Sequence, residues 1–218
     1  MAAGSGLILM EKLYGADARR LTPQVHAISP SLGLGPWITV VVLAWGLLSV
    51  PALHAQNAKP TDYDVKAAYL YNFGRFVEWP QITTAPKSGH FTVCVLGQDP
   101  FGPSLDNTLA GETIGGKSIV AKRISSPQES DDCHIIFLGP TEGSHLKKIV
   151  AELDKKAILT VSDMPQFAQL GGMIQFVPEG KRVRFEVNLA ATQRAGLTLS
   201  SELLKVATTV RKKSAFGD

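Results

Sequence analysis

The sequence predicts a layered α/β domain with a mostly parallel central sheet, helices on its faces, and a C-terminal β-hairpin followed by helices. Short apolar runs typical of buried strands alternate with amphipathic helical segments in the middle of the chain. A turn signal at Pro178–Lys181 joins two strand-like segments. The composition, 44% hydrophobic and 19% charged, excludes a collagen, a coiled coil and a disordered tail.

The first element of the domain is a helix that Thr61 or Asp62 can cap. Its apolar residues recur at helical spacing, and Pro80 ends it because the residue before a proline is pushed out of the α region. We therefore predict a helix over Asp62–Trp79. The later helices are predicted from polar residues at their first positions and from the helical spacing of their apolar residues. They are 99–109, 144–153, a short helix between Ser162 and Gly172, 189–195 and 201–210.

The predicted strands are short runs rich in apolar and β-branched residues. Four of them precede the hairpin, and the hairpin supplies two more. They are 91–97, 117–123, 133–138, 157–161, 173–177 and 182–187. Because strands and helices alternate before the hairpin, the sheet is expected to be parallel there and to carry an antiparallel edge.

The N-terminal 55 residues read as a signal peptide with an unusually long leader. Residues 38–50 form an uncharged apolar run, shorter than the roughly 20 residues of a membrane span. We predict cleavage after Ala55, which leaves a single exported domain over 56–218. The long leader is explained if the true start lies further along the chain. The alternative is an uncleaved N-terminal anchor, and both place residues 56–218 outside the cytoplasm.

Residues 111–118, GETIGGKS, satisfy the pattern of a phosphate-binding loop. That loop needs a strand before it and a helix after it, whereas here the order is inverted, so we interpret it as a glycine-rich turn entering a strand. Cys133 and His134 are neighbours on a strand and point to opposite faces, which excludes a simple Cys–His pair. The histidines show no metal-ligand spacing. We predict no catalytic residue, no metal and no cofactor.

The two cysteines, Cys94 and Cys133, are the clearest chemical signal. An even cysteine count in an exported chain favours a disulfide. The alternative is a pair of buried thiols that act as small apolar residues. Cystines between adjacent strands are often strained, and a strained bond is more easily reduced, which would favour a redox-responsive link.

Aromatic residues are concentrated in the first helix. Too many are present for all of them to face one side of a helix, so some are expected to form an apolar surface patch for a partner protein. We predict Phe76, Trp79 and Phe101 for this patch. The alternative function is a small-molecule binding domain that uses an apolar groove near this helix and the Gly171–Ile174 segment.

Five blocks of the sequence together resemble the YfiR family, and they span nearly the whole exported domain in the expected order. They are VKAAYLYNFGRFVEWP at 65–80, CVLG with DPFG at 94–102, CHIIFL at 133–138, ILTVSDMPQFAQLGGMIQF at 158–176 and VRFEVNLAATQRAGLTLSSELLKVA at 183–207. Four further positions match family motifs and are expected to serve turn geometry and buried hydrogen bonding. These are Gly171, Gly172, Glu186 and Asn188.

The resemblance implies a non-enzymatic, dimeric periplasmic protein of a Gram-negative bacterium. Such a protein represses an inner-membrane diguanylate cyclase through the periplasmic region of that enzyme, and an outer-membrane lipoprotein can sequester the repressor. The output is cyclic di-GMP, and through it biofilm formation. The family is broad, so the alternative partner is another membrane sensor enzyme, such as a histidine kinase. The redox-linked cysteine pair of the family maps onto Cys94 and Cys133, whereas a second pair found in some members is absent here.

Overall fold

The structure, a computed structural model, describes residues 59–80, 89–154 and 156–212. The predicted signal peptide, its cleavage after Ala55 and the alternative anchor lie outside these ranges and stay predictions. Within the described ranges, no helix combines the length and the apolar character that a membrane crossing requires.

The described ranges contain five α-helices and ten strands. The helices are α1 (Asp62–Phe76), α2 (Pro103–Leu109), α3 (Leu146–Leu153), α4 (Leu189–Arg194) and α5 (Ser201–Val206). The strands are β1 (Val77–Glu78), β2 (Phe91–Leu96), β3 (Thr113–Ile114), β4 (Lys117–Ile124), β5 (Ile135–Leu138), β6 (Leu159–Ser162), β7 (Ile174–Glu179), β8 (Arg182–Asn188), β9 (Thr198–Leu199) and β10 (Thr209–Arg211). Two 3-10 helices precede β5 and α3, at Pro127–Asp132 and Pro140–His145.

The main sheet has the strand order β10-β8-β7-β6-β5-β2-β4-β3. The strands from β4 to β7 in this order are parallel to their neighbours. The β7–β8 hairpin is antiparallel, and β10 lies parallel to β8 at the edge. The predicted fold class, a mostly parallel sheet with a C-terminal hairpin, is therefore confirmed.

Helices cover both faces of the sheet, as its apolar strands require. Alternate side chains of β2 belong to two separate clusters of buried residues. Val93 and Val95 pack in the cluster that includes residues of α1, α2, α4 and α5. Cys94 and Leu96 pack in the cluster that includes residues of α3. The domain is therefore a sandwich of helices, sheet and helices.

Helix α1 begins where the sequence predicts and ends earlier. Thr61 is the N-cap, and its side chain and that of Asp64 satisfy each other's backbone N–H groups in a capping box. The prediction that the helix continues to Trp79 is wrong, because Val77 pairs with Leu199 in a two-stranded sheet formed by β1 and β9. The N–H of Ser200 also donates to the carbonyl of Phe76 at 2.9 Å.

The predicted helix between Ser162 and Gly172 is wrong, since this segment consists of turns. Gln166 has a left-handed backbone with φ of 63°, which a helix does not tolerate. The turns enclose Phe167, which is fully buried. The side-chain amide of Asn188 donates to the carbonyl of Ala168 at 2.9 Å and so holds a backbone group that a helix would use internally.

The prediction of a helix to Val210 is also wrong, because α5 ends at Val206 and Thr209–Arg211 form the edge strand β10. The free side of β8 supplies backbone partners, and the N–H of Thr208 donates to the carbonyl of Phe185 at 2.9 Å. Helix propensity alone does not reveal such a partner.

The GETIGGKS segment forms the β3–β4 hairpin, in which Thr113 pairs with Ser118. Gly115 and Gly116 occupy the turn with positive φ values of 58° and 78°, which suits the two central positions of a type I′ turn. A phosphate-binding loop requires a helix at this point. The interpretation of a glycine-rich turn entering a strand is confirmed.

Substitution of Asn188 tests whether this side chain holds the turn segment between Ser162 and Gly172 in place. Asn188→Ala removes the N-cap bond from the N–H of Ala191 and leaves the buried carbonyl of Ala168 without its donor. We expect the free energy of unfolding, measured with urea, to fall by about 3 kcal/mol. Asn72→Ala is the control, because Asn72 bonds only within its own helix, and it should cost about 1 kcal/mol or less. Equal losses would contradict the assigned role.

Candidate functional site

The disulfide joins Cys94, in the middle of β2, to Cys133, which lies two residues before the start of β5. Their Cα atoms lie 5.8 Å apart, which suits a disulfide. Cys94 is fully buried and Cys133 is 5% exposed, within the cluster under α3. A reductant therefore cannot reach the sulfurs unless the fold opens locally. This burial favours a brace between two central strands over a link that responds directly to external thiols.

Phe101 lies in the core, so the prediction that it belongs to a surface patch is wrong. It is 4% exposed and packs edge-on against Tyr63, at 5.4 Å between ring centroids, and against Phe137, at 4.8 Å. The loop that carries Phe101 is fastened by Arg123. Its guanidinium bonds the carboxylates of Asp99 and Asp106 and the carbonyl of Gly102.

Phe76 and Trp79 are half-buried at the end of α1 and just after β1, so part of each ring is accessible. Trp79 packs edge-on against Phe91, the first residue of β2, at 5.2 Å between centroids. Its indole N–H is buried and has no hydrogen-bond partner in the described structure. Aromatic side chains are enriched at protein interfaces. Their partner-binding role stays a prediction.

His134 completes this aromatic group. Its ring stacks on Phe91 at 4.3 Å between centroids and lies 6.2 Å from the ring of Trp79. Nδ1 accepts the backbone N–H of Thr92 at 3.1 Å. Burial lowers the pKa of His134 below its usual value, the charge of Lys117 lowers it further, and Asp132 opposes both. As the sequence predicts, the side chain of His134 points away from Cys133 and cannot act as a base for it.

The histidines stay apart in this fold. His90 contacts Ser118 at 2.6 Å, and His145 contacts Ser144 at 3.2 Å. Across the residues that the structure describes, no group of three or more His, Cys, Asp or Glu side chains is placed to hold a metal ion.

A cluster of polar side chains lies at the carboxyl end of β6, and the sequence did not predict it. Asp163 accepts the ammonium of Lys66 at 2.6 Å and the hydroxyl of Tyr63 at 3.0 Å on the same carboxylate oxygen, Oδ2. The Lys66 ammonium also lies 4.1 Å from the centroid of the Tyr63 ring. Burial and the charge of Asp163 raise the pKa of Tyr63 to about 12, so the phenol stays protonated. An aspartate directly after a buried strand was the available signal.

This cluster forms one wall of a cavity of about 300 Å³ between the start of α1 and the β7–β8 hairpin, which we term the hairpin cavity. The residues that line it include charged groups from both elements and apolar side chains of the hairpin. They are Asp62, Lys66, Asp163, Phe176, Val177, Pro178, Gly180, Lys181, Arg182 and Val183.

The crevice where an α/β sheet most commonly binds a ligand is filled by side chains in this protein. The strand order reverses between β2 and β5, and the crevice outside their carboxyl ends is the usual site. Here the side chains of Thr141 and Glu142 lie so close to Gly97 that a β-carbon at that position would overlap them. The N–H of Gln98 donates to Thr141 Oγ1 at 3.2 Å and closes the crevice.

A family model described as YfiR/HmsC-like matches residues 63–208. Two solved structures show a more distant similarity. One is an ABC domain in complex with L-Trp from Streptococcus pneumonia, at 13% identity and a TM-score of 0.41, over 55% of each chain. The other is a conserved domain protein from Vibrio cholerae O1 biovar eltor, at 10% identity and a TM-score of 0.47, over 71% of this chain and 62% of that one. The chain thus spans less than two thirds of either structure.

The disulfide is expected to be a large contributor to stability. It closes a loop with a sequence separation of 39, and in the chain-entropy model this constraint is worth about 4 kcal/mol. Cys94→Ala/Cys133→Ala should lower the free energy of urea unfolding by about that amount. Cys94→Ser/Cys133→Ser should lose slightly more, because it buries two hydroxyls. Unchanged unfolding of the alanine variant would contradict the assignment of a brace.

His134 makes stability depend on pH. Its pKa in the folded protein lies below the unfolded value of about 6.5, so the unfolded chain binds more protons between the two values. The free energy of unfolding should therefore be retained above about pH 6.5 and fall as the pH is lowered below it. His134→Asn should flatten this part of the profile, whereas His90→Asn, at an exposed position, should leave it unchanged. An identical slope in wild type and His134→Asn would show that another group is responsible.

Proposed function

Because this chain belongs to the YfiR/HmsC-like family, which matches it over residues 63–208, we propose that it binds and represses an inner-membrane diguanylate cyclase. The protein acts in the periplasm, contacts the periplasmic region of the cyclase, and lowers cyclic di-GMP and biofilm formation. The family is one of periplasmic, non-catalytic regulators, and the family match is the observation that carries the proposal.

A protein that performs no chemistry on its partner regulates it only by binding one of its states more tightly than another. Repression therefore requires a preformed surface that fits the inactive state of the cyclase. To move the cyclase from nearly all active to nearly all inactive requires a preference of about 10⁴-fold between the two states. A rigid domain binds the state that it fits more tightly than a flexible one does, because less ordering entropy is lost on binding.

The surface around Phe76 and Trp79 is our proposed contact with the cyclase. Both aromatic rings are half-buried, and aromatic side chains dominate the energetics of protein interfaces. The β1–β9 sheet holds the backbone between them, through the pairing of Val77 with Leu199. Phe101 is excluded because it is buried.

The disulfide supports this surface from inside the fold. Trp79 rests on Phe91, which begins β2, and Cys94 lies three positions further along the same strand. Cys133 directly precedes His134, and the ring of His134 also stacks on Phe91. Joining β2 to the start of β5 thus fixes the two strand ends that position Trp79. Loss of the bond is expected to loosen the surface and weaken repression, which is the form of redox tuning that we propose.

Deletion of the gene tests the proposal directly. We expect intracellular cyclic di-GMP to rise in the deletion strain and to return to the parental level with the wild-type gene. Trp79→Ala and Phe76→Ala should fail to restore repression, because they remove the proposed contact. Tyr71→Ala is the matched control, since it removes a half-buried aromatic from a different side of α1 and should still repress.

Two measurements keep this test decisive. The periplasmic level and the thermal melting of each variant show whether a loss of repression comes from a loss of fold. Cys94→Ala/Cys133→Ala, assayed at a temperature where it remains folded, shows whether the brace matters to repression. An unchanged cyclic di-GMP level on deletion would contradict repression of a diguanylate cyclase.

A further inference from the structure

We infer that the hairpin cavity is a binding site for a small organic carboxylate with an apolar body. This goes beyond the proposed function, since it is a property of the purified domain and requires no partner. The cavity lies beside Asp163, just outside the carboxyl end of β6. A volume of about 300 Å³ accommodates about ten water-sized groups.

Lys66 is the residue that orients the ligand. Its side chain is only 12% exposed, and its ammonium is held between the carboxylate of Asp163 and the ring of Tyr63. An ammonium has three N–H donors, and the bond to Asp163 uses one of them. Because Lys66 also lines the cavity, a ligand carboxylate can accept another of these donors from a cation that is already fixed in place.

The charges around the cavity favour an anion over a cation. Three cations and two carboxylates line it. Lys66 and Asp163 pair with each other within the wall, so their charges cancel and the rest of the lining carries one more cation than carboxylate. The other carboxylate, Asp62, is exposed at the start of α1, whereas Lys181 and Arg182 lie together at the turn of the hairpin.

The apolar lining indicates more than an inorganic anion. Phe176 and Val183 are 2% and 7% exposed, and Pro178, which pairs with Val183, lies on the same face of the hairpin. Phosphate or sulfate has no apolar group that could contact these side chains. A carboxylate attached to an aromatic or branched aliphatic group uses both parts, which is the usual combination of polar and apolar contacts in small-molecule sites.

Three probes that share one apolar body test the charge requirement. We expect phenylacetate to raise the melting temperature of the purified domain by several degrees at saturating concentration. The neutral analogue phenylacetamide and the cationic analogue phenethylamine should have little effect, and acetate should bind more weakly than phenylacetate. Calorimetric titration then gives the dissociation constants.

Two lysine variants and a control locate the site. Lys66→Met keeps the apolar stem, removes the ammonium and should abolish the phenylacetate response. Lys181→Met leaves the Lys66–Asp163 pair intact and should weaken binding several-fold, so it decides the outcome if Lys66→Met does not fold. Lys148→Met is the matched control, because this lysine is 78% exposed on α3 and lies outside the cavity lining, and it should bind as wild type does.

Three results would overturn the inference. The first is equal stabilisation by phenylacetate and phenylacetamide, and the second is no response to phenylacetate at millimolar concentration. The third is a Lys181→Met domain that binds phenylacetate as tightly as wild type. None of these results bears on whether deletion raises cyclic di-GMP, so the two proposals fail independently.

Discussion

The burial of β2 on both faces is the constraint on which the rest of the domain depends. All six side chains of this strand are buried, and it pairs in parallel with β4 on one side and β5 on the other. A strand in this position needs helices on both sides of the sheet. The alternation of its side chains also places Cys94 in one layer and Val93 and Val95 in the other. The brace and the aromatic core are therefore separated by the sheet itself.

The two candidate surfaces lie at opposite ends of the parallel strands of the main sheet. At the amino end, the first residue of β2, Phe91, supports Trp79 and His134. At the carboxyl end, the aspartate that follows β6 holds Lys66 at the wall of the hairpin cavity. The strands are the rigid part of the domain, and the chain between them supplies the accessible groups. A regulator of the YfiR/HmsC-like family thus presents an aromatic surface and a charged cavity on one scaffold.

The first helix connects the two surfaces. Its first turns supply Lys66 and Tyr63 to the cavity, and its last turn leads into Phe76 and Trp79. Between them, Phe73 is fully buried and packs against Phe176 and Phe185 of the hairpin. The hairpin that forms one wall of the cavity therefore also packs on the helix that ends at the proposed cyclase contact. The two candidate surfaces therefore share one buried aromatic core.

The sequence by itself determined the fold class, the main strands and the turn at Gly115–Gly116, because each follows from local periodicity or from backbone freedom. It also indicated the pairing of Cys94 with Cys133. Only the tertiary structure decided where α1 ends, that Thr209–Arg211 form a strand and that Phe101 is buried, because each depends on partners distant in sequence. The hairpin cavity is another feature that only the tertiary structure decided. Lys66 and Asp163 are 97 residues apart, and no local pattern reveals that packing brings them into contact.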